Sequence, residues 1–208
     1  FTVDTTAPSL SQVAAVPTPS SDNTSSYTFS SNEAGSITYG GSCSSSTTSA
    51  TAGNNTIDFN TLSDGSYSNC SITVTDSAGN ASSALSVNTF VVDTTAPTLS
   101  QITAVTNPTN DPTPSYVFSA NEAGTITYGG SCSSSTTSAS SGSNSITFNT
   151  LSAGTYSNCT INVTDAAGNI SDTLTINSFR VGAIILFNQT ANYHLNGSTP
   201  TKTKGNNL

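Results

Sequence analysis

Apolar side chains come along this chain in short alternating runs and never at helical spacing. Tyr27 and Phe29 share one face of such a run, Ile72 and Val74 share another, and Gly, Asn, Asp and Pro punctuate the chain about every ten residues. A period of two places alternate side chains on one face of an extended segment, and the turn formers end each run. The pattern therefore predicts an all-β chain of antiparallel, half-buried strands. In the first ninety residues, strand A is expected near 9–16, B near 26–30 and C over 37–43. Strand E carries Ile57 and Phe59, F runs over 66–75 with Cys70, Ile72 and Val74 on one face, and G runs over about 82–92. The Ser-rich stretch 44–49 reads as a solvated loop or a weak edge strand, with glycan attachment as the less favoured reading. Short strands at this spacing are the mark of a β-sandwich.

The pattern then starts again. Val3-Asp4-Thr5-Thr6-Ala7-Pro8 returns as Val92-Asp93-Thr94-Thr95-Ala96-Pro97, an offset of 93 − 4 = 89, and 60 of residues 1–89 are identical to their partners in 90–178 with no gap. Repeat 1 is accordingly expected over 1–92, with residues 1–3 closing an upstream copy, and repeat 2 over 93–181. Residues 182–208 are left as a tail, because Gly182 stands where a third linker would place Asp. Within the tail, Ala183-Ile184-Ile185-Leu186-Phe187 is the most apolar run of the chain and predicts a strand, followed by a disordered end.

Charge narrows the possible roles. Only 7% of residues are charged and the net charge is −8, with the three bases, Arg180, Lys202 and Lys204, confined to the end of repeat 2 and the tail. Such a surface cannot neutralise phosphates, which argues against nucleic acid as a partner. No apolar run approaches the roughly 20 residues that span a bilayer, so no membrane insertion is expected of this segment. With no His, Lys or Arg in residues 1–179, no Ser or Cys there has a base beside it, and the chain is not expected to be an enzyme. The cysteines repeat with the pattern: Cys43 and Cys70 are 27 apart, as are Cys132 and Cys159. One disulfide within each repeat is the favoured pairing. Zinc is disfavoured, because there is no Cys-x-x-Cys and the only His, His194, is in the tail. Disulfides imply an oxidising, extracytoplasmic location.

Three motifs recur in order in both copies: Leu62-Ser63-Asp64-Gly65-Ser66-Tyr67, then Val74-Thr75-Asp76-Ser77-Ala78-Gly79-Asn80, then the Asp-Thr-Thr-Ala-Pro linker. The second copy carries Leu151-Ser152-Ala153-Gly154-Thr155-Tyr156 and Val163-Thr164-Asp165-Ala166-Ala167-Gly168-Asn169. In these residues the chain resembles the bacterial immunoglobulin-like (Big-type) repeats of large secreted surface adhesins. The resemblance covers both copies and none of the tail. It implies two tandem Ig-like Greek-key β-sandwiches. One departure concerns the disulfide, which in antibody-type domains joins strands B and F, whereas here the first cysteine follows strand C.

In a seven-stranded sandwich the B–C and F–G loops lie at the end where strand A begins. That gathers Asp93 of the linker, Glu122 of the B–C turn, and Asp165 and Asn169 of the F–G hairpin in repeat 2. In repeat 1 it gathers Asp4, Glu33, Asp76 and Asn80, and Asp22 of the first A–B loop would face the leading end of repeat 2. Carboxylates converging with no basic partner need a cation or must stay apart in water. Hard oxygen ligands on loops suit Ca²⁺, and the resemblance implies calcium at domain junctions. The alternative is a plain hairpin turn, with Asp and Asn bonding their own backbone and Gly at positive φ.

The resemblance, taken with the repeat and the clustered acids, implies a structural extension module, or stalk, of a repetitive bacterial cell-surface adhesin, secreted and with calcium-stiffened junctions. Its partners are neighbouring repeats of the same chain. The rival roles are a ligand-binding Ig-like module and a filament subunit that joins a like subunit by adding residues 183–187 as a strand. An accessory domain of a secreted enzyme is a third.

Overall fold

A computed structural model describes residues 3–182; the expected strand at 183–187 and the disordered end lie outside the described residues. Within these bounds the chain is all-β, without a helix. Repeat 1 has nine strands: β1 (Leu10–Ala14), β2 (Ser26–Ser31), β3 (Gly35–Gly40), β4 (Ser49–Ala50), β5 (Gly53–Asp58), β6 (Gly65–Tyr67), β7 (Ser71–Thr75), β8 (Leu85–Ser86) and β9 (Phe90–Val92). Repeat 2 has the same nine, each 89 residues later: β10 (Leu99–Thr103), β11 (Ser115–Ala120), β12 (Gly124–Gly129), β13 (Ser138–Ala139), β14 (Gly142–Thr147), β15 (Gly154–Tyr156), β16 (Thr160–Thr164), β17 (Leu174–Thr175) and β18 (Phe179–Val181).

In each repeat a three-stranded sheet, β1-β2-β5 or β10-β11-β14, faces a four-stranded one, β4-β3-β7-β8 or β13-β12-β16-β17. The alternation seen in the sequence decides what lies between them. Tyr27, Phe29 and Ile57 point inward from one sheet and Ile37, Ile72 and Val74 from the other, all buried, and Tyr116, Phe118, Ile146, Ile126, Ile161 and Val163 repeat the arrangement. Rings stack through each core, as Phe59 on Phe90 at 5.8 Å and Phe148 on Phe179 at 6.1 Å. Each fully buried ring or branched side chain contributes about 1.5–3 kcal/mol of hydrophobic stabilisation. Cys43 and Cys70 are bonded at a Cα–Cα distance of 5.3 Å, and Cys132 and Cys159 likewise at 5.3 Å. Each bond ties the segment after strand C to the start of β7 or β16.

Three strands depart from expectation. Strand C stops at Gly40, short of Cys43, because Gly41 takes a positive φ of 76° and turns the chain beneath Asn69. Strands F and G are each broken in two. The first half of F, β6, pairs with the second half of G, β9, while β7 pairs with β3 and β8. Polar side chains make the break: Asn69 Oδ1 accepts the Ser42 amide at 3.1 Å, and Asn88 grips both the amide and the carbonyl of Val16, at 2.9 and 3.0 Å. The β6-β9 pair is thereby drawn to the A–B segment, which it joins through a parallel bridge between Ser20 and Val92.

Candidate cation site at the repeat joint

The F–G hairpin is built by its own aspartate. Asp76 Oδ1 accepts the amides of Ala78 and Asn80, both at 2.8 Å, and Oδ2 accepts the Asn80 side-chain amide at 2.9 Å. Gly79 takes φ +93° inside this turn, where an L side chain would be strained. Asp165 does the same for its hairpin, accepting the amides of Gly168 at 2.7 Å and Asn169 at 2.9 Å. These bonds hold the Asp76 carboxyl below its ordinary range, the Asn80 side-chain amide foremost and the backbone amides of Asn80, Ala78 and Gly79 after it, against an opposing effect of burial.

The linker is pinned from both sides. The Asp93 amide donates to Ser20 O of repeat 1 at 2.9 Å, and the Asp93 carbonyl accepts Asn169 Nδ2 of repeat 2 at 2.7 Å. Its side chain accepts the Thr95 amide at 3.1 Å, which turns the linker. Asn121 Oδ1 accepts the Thr98 amide at 2.7 Å and so holds the B–C turn against the linker's far end. The same contacts stand at the head of repeat 1, where Asn80 Nδ2 reaches Asp4 O at 3.2 Å and Asn32 Oδ1 accepts the Ser9 amide at 2.6 Å. Asn32 and Asn121 stand beside Glu33 and Glu122 in the turns expected to converge on the linker, and the structure gives them the further part of accepting a linker amide.

Linker, B–C turn and F–G hairpin then bring three carboxylates together twice. One oxygen from each of Asp93, Glu122 and Asp165 lies within 4.8 Å of the others, as does one from each of Asp4, Glu33 and Asp76. Among the described residues the only base is Arg180, on β18. The Glu122 carboxyl is raised above its ordinary range by partial burial first and by the charges of Asp93 and Asp165 next, with the Asn121 amide opposing. Asn80 and Asn169 direct their amide nitrogens at the aspartates. Asp22 stands outside the triad of repeat 2: its Oδ1 accepts the Thr24 amide and hydroxyl, both at 2.8 Å, and caps its own loop. Its neighbour Ser21 lies nearer the hairpin of repeat 2, with Oγ 3.9 Å from the position a Cβ on Gly168 would take. Chemically, each triad offers clustered hard carboxylate oxygens, the donor type that hard cations take.

Residues 96–181 match a family model described as a bacterial Ig-like domain. Repeat 2 is a bacterial Ig-like domain. Repeat 1 has the same strands in the same order. Among solved structures, the chain is similar to the D00-D0 domain of Intimin at 13% identity and a TM-score of 0.36, covering 81% of this chain and 98% of that one. It is also similar to the D0-D1 domain of Intimin at 17% identity and a TM-score of 0.27, covering 80% and 95%, respectively. A biofilm-associated protein BSP domain aligns at 14% identity and a TM-score of 0.28, covering 85% of this chain and 30% of that one. No curated protein matches the sequence. No helix among the described residues is long and apolar enough to cross a membrane.

Proposed function

We propose that the two repeats are a structural extension segment of a secreted, repetitive bacterial surface adhesin, and that a Ca²⁺ ion at each triad stiffens the joint between repeats. The observation that carries this reading is the position of Asp93. Its backbone is bonded to repeat 1 and to repeat 2 at once, and its carboxylate meets Glu122 and Asp165 without a basic partner. A cation there would remove the mutual repulsion of three acids drawn from three segments and so favour one geometry of the joint. Three carboxylates supply up to six oxygens, and water completes the six to eight that Ca²⁺ takes. The triads stand in the same place in both repeats, as a spacer requires of its joints. The family match and the disulfides support an extracytoplasmic, non-enzymatic module, and the length that each repeat adds accumulates with copy number.

For a site of extracellular type, with Kd on the order of 10⁻⁴ to 10⁻³ M, about 1 mM calcium adds only ~0.4 to 1.4 kcal/mol of stability. The effect is therefore on shape more than on folding. Small-angle scattering of the chain is expected to give a longer, narrower distance distribution in calcium than in chelator, and Asp93→Ala to abolish the difference. No calcium response in the wild type, by scattering or calorimetry, would leave the triads as ordinary turn residues.

A further inference from the structure

A second fastening holds the linker through a residue outside the triads, and that residue is present at only one repeat exit. Asp64 sits in the turn before β6, exposed, and every hydrogen bond its carboxylate makes goes forward to the linker. Oδ1 accepts the Thr94 amide at 3.0 Å and the Thr94 hydroxyl at 2.8 Å, and Oδ2 accepts the Thr95 hydroxyl at 2.7 Å. None of these bonds serves the fold of repeat 1. The turn is fixed by other means, since the Tyr67 hydroxyl donates to Ser63 O at 2.8 Å and Tyr67 stacks on Phe90.

Repeat 2 keeps the turn and loses the carboxylate. Tyr156 donates to Ser152 O at 2.9 Å and stacks on Phe179, yet position 153 is Ala. The backbone exit is also kept, because the Gly182 amide bonds Thr109 O at 2.7 Å, as Asp93 bonds Ser20. The residues that would stand in place of Thr94 and Thr95 are Ala183 and Ile184, which carry no hydroxyl. The carboxylate and the two hydroxyls are thus present together at one exit and missing together at the other.

We infer that Asp64 is a docking point for the linker of a following like repeat, so that the residue at this position specifies whether a repeat can seat an Asp-Thr-Thr segment behind it. The partner is defined by chemistry: a backbone amide and two adjacent hydroxyls in the turn that follows a linker aspartate. A carboxylate suits it because two oxygens can take three donors, and hydrogen bonds to a charged acceptor are stronger than neutral ones. An alanine at the same place leaves the exit free for a different kind of segment. This clamp is independent of the cation proposed above, since Asp64 belongs to neither triad.

The test is amide hydrogen exchange at Thr94, followed by NMR on the whole chain in chelator, so that no calcium effect enters. Asp64→Ala is expected to speed Thr94 exchange about tenfold, the low end for an amide bonded to a charged acceptor, while Tyr67 and the β6 amides stay protected. Thr95→Val is expected to weaken protection at Thr94 in the wild type and to change nothing in the Asp64→Ala background. At the second exit, Ala153→Asp alone is expected to leave exchange at position 183 unchanged. Combined with Gly182→Asp, Ala183→Thr and Ile184→Thr, it should protect the amide at 183. Equal Thr94 exchange in the wild type and Asp64→Ala would overturn the inference, as would protection at 183 without the acid at 153.

Discussion

The two repeats begin alike and end differently. At the head of each, an Asp of the linker, a Glu of the B–C turn and an Asp of the F–G hairpin share one place, and an Asn of the hairpin holds the linker carbonyl. At the exits, Asp64 bonds Thr94 and Thr95 while Ala153 offers nothing. The difference separates two tasks of one surface. What a repeat needs to receive a linker is retained in both copies; the acid that bonds the outgoing linker is retained only where an Asp-Thr-Thr linker follows directly. Substitutions that touch shared elements should therefore act equally on both repeats, and those at the exit on one alone.

The largest shared effect is expected in the core. Phe29→Ala and Phe118→Ala each remove a fully buried ring and should cost about 3–5 kcal/mol, to the same extent in the two repeats by denaturant unfolding. Replacing Cys43 and Cys70, or Cys132 and Cys159, by Ser opens a loop of the same length in either repeat and should cost about 3.5 kcal/mol on the chain-entropy estimate. Unequal losses would mean that the repeats are held together by different forces despite their matching strands. Smaller again is the buried hydroxyl of the hairpin base. Ser82 Oγ accepts the Val74 amide at 3.0 Å and Ser171 Oγ the Val163 amide at 2.9 Å, so Ser82→Ala and Ser171→Ala each strand a buried N–H, at about 1–3 kcal/mol.

The smallest effect is the asymmetric one, and pH isolates it. The Asp64 carboxyl lies below its ordinary value of 3.8, held there by the Thr95 hydroxyl first and then by the Thr94 hydroxyl and amide. A depressed folded pKa contributes order that is complete above the unfolded value, near 3.9, and is lost as the pH falls through the lower folded one. The ratio of Thr94 exchange between wild type and Asp64→Ala should therefore be constant above about pH 4 and collapse toward unity in stronger acid. A ratio that persists after Asp64 has been protonated would assign the protection to something other than the carboxylate.

Much of this is readable in the chain because alternation has one geometric meaning. Tyr27 with Phe29, and Ile72 with Val74, have to face a core, and the matching cysteine spacing requires no knowledge of partners in space. The broken strands F and G are not readable. Their division depends on Asn69 and Asn88 bonding backbone groups 27 and 72 residues away, and nothing local distinguishes such an Asn from a turn former. The acids of the triads are legible as a group, since loops at one end of a sandwich converge. Asp22 is not, because its carboxylate turns back to Thr24 while Ser21 lies nearer the hairpin of repeat 2. Asp64 leaves a trace that only an internal comparison exposes, namely an Asp that becomes Ala where the Thr pair also disappears.

Whether the pair of repeats behaves as one stiff body is most directly measured by residual dipolar couplings of the two repeats in a single weakly aligned sample, with about 1 mM calcium and then with chelator. A calcium-bound joint at Asp93, Glu122 and Asp165 predicts one alignment tensor common to both repeats in calcium, and tensors of clearly different magnitude in chelator. Different tensors in calcium, or the same tensors in both conditions, would contradict it.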